Sequence, residues 1–224
     1  SNYSQMKELD TGSATSTIIL ISGYGTNLQA ILDEVANNHL PIQIILILSD
    51  NPQAHGIRRA KNAGIPTKII NYHGFNNKAD FHLTMEENIK KIDPDLVILA
   101  GYMRILSEEF CRQFKGKILN IHPSLLPKFR GLNTYQRVLD SSDEFHGSTV
   151  HFVTEELDSG PLVLQYRTKI KTTDDPKQLR KRVQLGEYQI YPMAIRWFAE
   201  GFLKMIKGKT VLNGKRISKP KILE

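Results

Sequence analysis

The 224-residue sequence predicts an α/β fold: a single domain on a mostly parallel sheet, with helices on both faces and an antiparallel C-terminal part. Three observations predict it. Apolar runs of strand length alternate with amphipathic stretches through the first half of the chain. Those runs are apolar throughout rather than at every second residue, as strands buried on both faces are. After Asn120 the alternation stops, and two strand-like runs lie close enough in sequence to pair antiparallel.

The elements follow in order. Thr17–Ser22 reads as a buried strand and Asn27–Asn37 as a helix, with Leu28, Ile31, Leu32 and Val35 on one face. Ile42–Leu48 is a second strand. Gly56–Ala63 is a short helix ended by Gly64, and Thr67–Ile70 a third strand. Ala79–Ile92 is a helix stopped by Pro94, followed by a strand at Leu96–Ala100, a helix at Ser107–Phe114 and a strand at Lys117–Asn120. The crossovers between parallel strands are expected to be right-handed, a Rossmann-like arrangement. Beyond it, Thr134–Leu139 is a short helix, and Ser148–Val153 and Leu162–Tyr166 are the antiparallel pair. One long helix is expected from Pro176 to about Ile206, kinked at Pro192, which removes a backbone bond to residue 188. Residues 1–16 are polar and expected to lack fixed structure, residues 17–206 form the domain, and residues 207–224 are a basic tail.

Composition narrows the function. Hydrophobic residues make up 40% and charged residues 24%, a globular balance. No apolar run approaches the roughly 18–20 residues that span a bilayer, and residues 1–16 lack an apolar signal core, so no membrane partner and a cytoplasmic location are expected. With Cys111 as the sole cysteine, no intramolecular disulfide forms, which fits a reducing compartment; within SEEFCRQF it reads as a half-buried helix residue. The net charge of +7 is concentrated at one end: residues 201–224 hold seven Lys and Arg against Glu224. That tail is not interleaved with stacking aromatics, so no nucleic-acid partner is expected.

Three segments carry chemistry. SGYGTNLQ, from Ser22 to Gln29, follows the first strand and opens a helix. Gly23 and Gly25 permit a tight backbone, and the free N–H groups at the helix start suit an anion. It has neither the GKS/GKT of a Walker loop nor a full GxGxxG, so a phosphate monoester fits better than a dinucleotide. ILNIHPSLLPKFRGLNTYQ, from Ile118 to Gln136, leaves a buried strand for a proline-stiffened loop. Ligands bind beyond the carboxyl ends of strands in open α/β sheets, and Asn120 and His122, two apart, point to one side there. A carboxamide can donate to a developing oxyanion, and an imidazole can donate or shuttle a proton. HFVTEELDSGPLVLQ, from His151 to Gln165, is strand, acidic turn and strand. Spacing alone reads Asp158 as a solvated turn residue; paired with His122 it would orient the ring and favour its charged form.

Together these motifs resemble the folate-dependent formyltransferases. NIHPSLLP and HFVTEELDSGP carry Asn120, His122 and Asp158, the trio of residue types on which that family's chemistry rests. SGYGTNLQ and VQLGEYQIYP (Val183 to Pro192) resemble the phosphate-binding loop and long-helix segment of the glycinamide ribonucleotide branch, and GYMRILS (Gly101 to Ser107) resembles its folate-binding stretch. The resemblance implies an α/β formyltransferase that moves the formyl group of 10-formyltetrahydrofolate, as co-substrate, to the amine of phosphoribosylglycinamide. It implies catalytic roles for Asn120, His122 and Asp158. Gly25, Thr26 and Asn27 would hold the substrate phosphate, and Gln184, Leu185, Gly186 and Glu187 its ribose and glycinamide end. Met103, Arg104, Ile105 and Leu106 would bind folate, with Asn120, Thr154, Glu155, Glu156, Leu157 and Asp158. Lys78 would join them, although family members often have Arg there. Arg130 and Asn133 stand where some members have Pro and His. His151, the family's other recurrent histidine, would support the site from beneath. No metal is implied, since His122, His146 and His151 lack ligand-like spacing. The implied partners are small molecules, with the chain a monomer or weak homodimer. The rival branches usually add an N-terminal regulatory or C-terminal tRNA-binding domain, for which residues 1–16 and 207–224 are too short.

Overall fold

The computed structural model describes residues 14–224. Its principal sheet has eight strands, in the order β11-β7-β6-β5-β4-β1-β2-β3. Five of them, β1 (Thr15–Ile21), β2 (Ile42–Ser49), β3 (Thr67–Ile69), β4 (Leu96–Leu99) and β5 (Ile118–His122), run parallel. β6 (Phe145–Phe152) pairs antiparallel with β5, and β7 (Leu162–Lys169) antiparallel with β6. The expected mixed sheet is thus present.

Side chains alternate across β1 and build two cores. Ile19 and Ile21 join Leu28, Ile31 and Leu32 of α1 (Thr26–Ala36), with residues of α2 (Gly56–Asn62) and α6 (Pro176–Ala199). Ile18 and Leu20 join Phe81, Met85 and Ile89 of α3 (Lys78–Ile92) and Phe110 of α4 (Glu108–Gln113). Period-2 alternation sends neighbouring residues to opposite faces, so an all-apolar strand demands a helix layer on each. A short helix, α5 (Thr134–Leu139), packs Tyr135 and Val138 on Leu179 and Val183 of α6.

Local chemistry sets the helix starts. Asn77 accepts from the Asp80 N–H at 2.8 Å to open α3, and Ser107 accepts from the Phe110 N–H at 3.2 Å to open α4. Asp175 and Gln178 form a capping box at α6, with Pro176 in the first turn. The α6 residue Tyr191 is fully buried, and its hydroxyl lies 2.7 Å from the Leu99 carbonyl and 3.0 Å from that of Leu119. This fixes α6 against the strands that lead into the functional site.

Three expectations change. The helix stays one element through Pro192 but ends at Ala199, not near Ile206. Gly201, at φ 82°, provides the left-handed stop, and Leu203–Ile206 form β8 instead. The basic tail is also ordered into strands. β8 pairs with β9 (Lys209–Leu212), and β9 with β10 (Lys215–Arg216), across turns whose residues Lys207, Gly208, Asn213 and Gly214 all have positive φ. β11 (Lys221–Leu223) then adds to β7 in the main sheet. At the other end, Thr15 and Ser16 belong to β1, where Ser16 and Asp95 exchange two hydrogen bonds of 2.9 Å. The rest of the expected unstructured N-terminus, residues 1–13, lies outside the described residues.

Candidate active site

The parallel strand order reverses between β1 and β4, the position at which open α/β sheets take a ligand beyond the carboxyl ends of their strands. β5, next to β4, brings Asn120 and His122 to the same end of the sheet.

Asn120 is held by β6. Its Nδ2 lies 3.2 Å from Nε2 of His151, while His151 Nδ1 lies 3.0 Å from the Phe152 carbonyl. The carbonyl requires a proton on Nδ1, so Nε2 is the lone pair that accepts from Asn120. Burial pushes His151 down to about 4, which keeps the ring neutral and the acceptor in place. One N–H of the Asn120 carboxamide is thereby spent on His151, and the second remains for a ligand.

His122 is 6% exposed. Its Nε2 donates to the Phe129 carbonyl at 2.8 Å, and its Nδ1 lies 3.6 Å from Oδ1 of Asp158. The second distance is that of an ion pair rather than a good hydrogen bond. The Asp158 side chain is 8% exposed, not solvated as its spacing suggested. Its Oδ2 accepts from the Gly131 N–H at 2.9 Å. The loop after β5 therefore folds over the carboxylate and shields it from water, which strengthens its interaction with the imidazole.

The glycine loop lies close by. Gly25, at φ 79°, precedes α1 without any side-chain cap, so the first-turn N–H groups are free for a ligand. Asn27 Nδ2 donates to Glu187 Oε1 at 3.2 Å, and Glu187 Oε2 is 2.5 Å from the hydroxyl of Ser148. That hydroxyl is also 2.8 Å from the His122 carbonyl. Burial raises the pKa of the Glu187 carboxyl, and the hydrogen bonds from Ser148 and Asn27 oppose that shift. Glu187 can enter because Gly186 presses on Tyr166, where a Cβ would stand 2.1 Å from the ring. Of the expected quartet, Gly186 and Glu187 are thus buried, whereas Gln184 and Leu185 line a surface cavity with Lys171 and Tyr188.

On the other side, the Met103 N–H donates to the Ser22 hydroxyl at 2.8 Å and ties the Met103–Leu106 stretch to the glycine loop. Met103, Ile105 and Leu157 are large apolar side chains left exposed. Arg104 is turned inward: its Nε donates to buried Asp50 at 2.8 Å and its guanidinium lies 3.5 Å from the Tyr72 ring centroid. Glu155 pairs with Arg112 at 3.3 Å, and Thr154 and Glu156 lie on the same turn. Lys78 is exposed in the first turn of α3. Cys111 is buried in α4, and burial pushes its thiol up to about 11, so it is no nucleophile.

Sequence reading missed Ser148, Asp50 and Gln165. Gln165 donates to the Leu126 carbonyl and the Thr149 hydroxyl, both at 3.0 Å, behind the loop that follows β5. Polar residues at positions that otherwise read as strand interior were the available signal.

Two of the buried histidines, His146 and His151, make stability depend on pH. His146 and His151 are each pushed down to about 4 by burial, against 6.5 for a free imidazole. Between these values the unfolded chain binds more protons than the folded one, so their stabilising contribution is complete above pH 6.5 and is lost as pH falls toward 4. Within that window the slope approaches about 2.7 kcal/mol per pH unit for two protons. Urea unfolding of wild type and His151→Gln across pH 4–7 checks it: the variant should lose about half the slope, and an undiminished slope would contradict the assignment.

No group of three or more His, Cys, Asp and Glu among the described residues could hold a metal ion, and no described helix is long and apolar enough to cross a membrane.

Residues 15–195 match the family model described as "Formyl transferase". The phosphoribosylglycinamide formyltransferase of Haemophilus influenzae is 44% identical over 201 residues, 90% of this chain and 95% of that protein. The human trifunctional purine biosynthetic protein adenosine-3 is 39% identical over 187 residues, 84% of this chain but 18% of that much longer protein. Among solved structures, the phosphoribosylglycinamide formyltransferase of Coxiella burnetii superimposes with a TM-score of 0.88 at 42% identity, covering 94% of this chain and 99% of that one. With these matches over most of its length, the chain belongs to the formyl transferase family of enzymes.

Proposed function

We propose that the chain transfers the formyl group of 10-formyltetrahydrofolate to the amine of phosphoribosylglycinamide, a step of purine biosynthesis. The observation that carries this reading is the run of contacts from Asn27 through Glu187 and Ser148 to the His122 backbone, which sets an anion-binding loop beside the trio. Relatives that span nearly the same length are named phosphoribosylglycinamide formyltransferases, which supports the acceptor and the group transferred.

In this reading Gly25, Thr26 and Asn27 hold the phosphate, and Glu187, with Gln184, Leu185 and Gly186, borders the ribose and glycinamide. Met103 to Leu106 and Thr154 to Asp158 border the donor, with Met103, Ile105 and Leu157 as its apolar lip, since burying these three under a flat heterocycle is favourable. Lys78 stands toward the donor's anionic end. The substrate amine is itself the nucleophile, so no activated Ser or Cys is required. It attacks the formyl carbon, and the carbonyl electron pair moves onto oxygen in a tetrahedral intermediate. The free N–H of Asn120 and the protonated ring of His122 stabilise that oxyanion. The formyl oxygen takes the place of the Phe129 carbonyl at Nε2, while Asp158 stays on Nδ1. The carbon–N10 bond then breaks, and the proton lost by the amine is delivered to N10, relayed through water beside Asp158 and His122.

The test is to mix the protein with 10-formyltetrahydrofolate and follow tetrahydrofolate by absorbance, with and without phosphoribosylglycinamide. Release that requires the ribonucleotide is the expected result. Release without it would indicate a hydrolase, and no release would exclude this donor–acceptor pair.

A further inference from the structure

The glycine loop supplies backbone N–H groups and two small polar side chains, but Ser22–Gln29 contains no cationic residue. A phosphate monoester is close to a dianion at neutral pH, and its tightest partners are charged donors. We infer that Arg59, on α2, is the residue that selects a phosphorylated acceptor; this rests on the acceptor reading above and adds a residue to it.

The geometry points to Arg59 because α2 is packed directly on the loop. The Gly56 N–H donates to the Gly23 carbonyl at 3.2 Å, and a Cβ on Gly25 would stand 2.8 Å from Gly56 Cα and 3.4 Å from Arg59 Cδ. The Arg59 side chain therefore runs past the residue that precedes the uncapped first turn of α1. Its Nε donates to the Tyr24 carbonyl at 2.9 Å, and its Nη1 donates to Gln29 Oε1 at 3.3 Å. Its guanidinium carbon lies 5.0 Å from the Tyr24 ring centroid, and that ring stacks on His55 at 4.7 Å. These contacts fix the guanidinium on both ends of the loop while using two of its five N–H donors. No carboxylate lies within ion-pair distance of it among the described residues, so its charge is not neutralised locally. Arg58 and Lys61, its neighbours on α2, line a separate surface cavity with Pro52 and Asn62 that Arg59 does not line. A pre-positioned guanidinium with three donors to spare matches a phosphate better than a flexible ammonium would.

The alternative is that Arg59 only braces the loop, and the substrate's own phosphate separates the two roles. Wild type, Arg59→Met and Arg59→Lys are compared on phosphoribosylglycinamide and on the glycinamide riboside that lacks the phosphate. In Arg59→Met the preference for the phosphorylated acceptor, as a ratio of kcat/KM, should narrow by about 10- to 100-fold. The loss should fall on KM for the phosphorylated acceptor, with Arg59→Lys intermediate and the KM for the formyl donor little moved. Equal losses on both acceptors would reduce Arg59 to a brace and overturn the proposal. Thermal protection by inorganic phosphate gives a reading independent of turnover. Protection of wild type that is lost in Arg59→Met supports the proposal even if another acceptor proves correct, whereas protection that is equal in both, or absent from both, overturns it.

Discussion

His122→Ala is expected to lower kcat about 1000-fold while leaving the affinity for the formyl donor within a few-fold of wild type. In the proposed mechanism two functions disappear together: a charged donor to the oxyanion, where one such donor is worth roughly 100- to 1000-fold, and a station in the proton relay, worth a comparable factor. Residues that act as a unit do not lose rate in proportion to the sum of their parts, so the expected loss lies near the larger single factor rather than their product. The imidazole is almost fully buried, and its removal leaves the Phe129 carbonyl without its donor at 2.8 Å and Asp158 without the ring nitrogen 3.6 Å away. A stability cost of about 1–3 kcal/mol follows, so turnover is to be measured well below the variant's melting temperature. Saturating kcat and equilibrium titration of the donor, measured side by side, decide the matter. A fall in kcat of less than tenfold would remove His122 from the chemistry.

The sequence exposed the parallel half of the sheet because doubly buried strands must be apolar on both faces, and Thr17–Ser22 and Leu96–Ala100 are so nearly without polar residues that no half-exposed strand fits them. It exposed Asn120 and His122 for a related reason, since a polar pair at the carboxyl end of a buried strand has few places to point except the crevice. Asp158 was different. Its burial is created by the loop after β5, whose Gly131 N–H it captures from 27 positions away, and no local pattern records such a contact. Arg59 and Ser148 were hidden in the same way: each partner lies far along the chain, in elements joined only when α2 packs on the glycine loop and β6 pairs with β5. The C-terminal strands were legible but outweighed. Lys207-Gly208 and Asn213-Gly214 are two-residue turns of the kind that reverse a hairpin, yet the surrounding lysines gave the segment the appearance of a solvated tail.

Asp158→Asn should lower kcat at least 100-fold with donor affinity nearly unchanged, and it isolates charge from shape. Asp158 sits at φ 50°, a left-handed conformation that asparagine tolerates as readily as aspartate. The amide keeps one oxygen to accept from the Gly131 N–H, so the turn and its closure over the site survive. What vanishes is the negative charge 3.6 Å from His122 Nδ1. Beside a buried imidazole that charge matters most when the ring is cationic, which in the proposed reaction is the moment when oxygen carries its negative charge. The loss therefore belongs to the transition state, lowering kcat and kcat/KM together. A double variant supplies the sharper criterion. If Asp158 works through His122, then adding Asp158→Asn to His122→Ala should cost little more than His122→Ala alone. Independent, multiplying losses would instead show that the carboxylate acts on the substrate by itself, and a loss confined to donor binding would make Asp158 a piece of the folate pocket with no part in moving the proton.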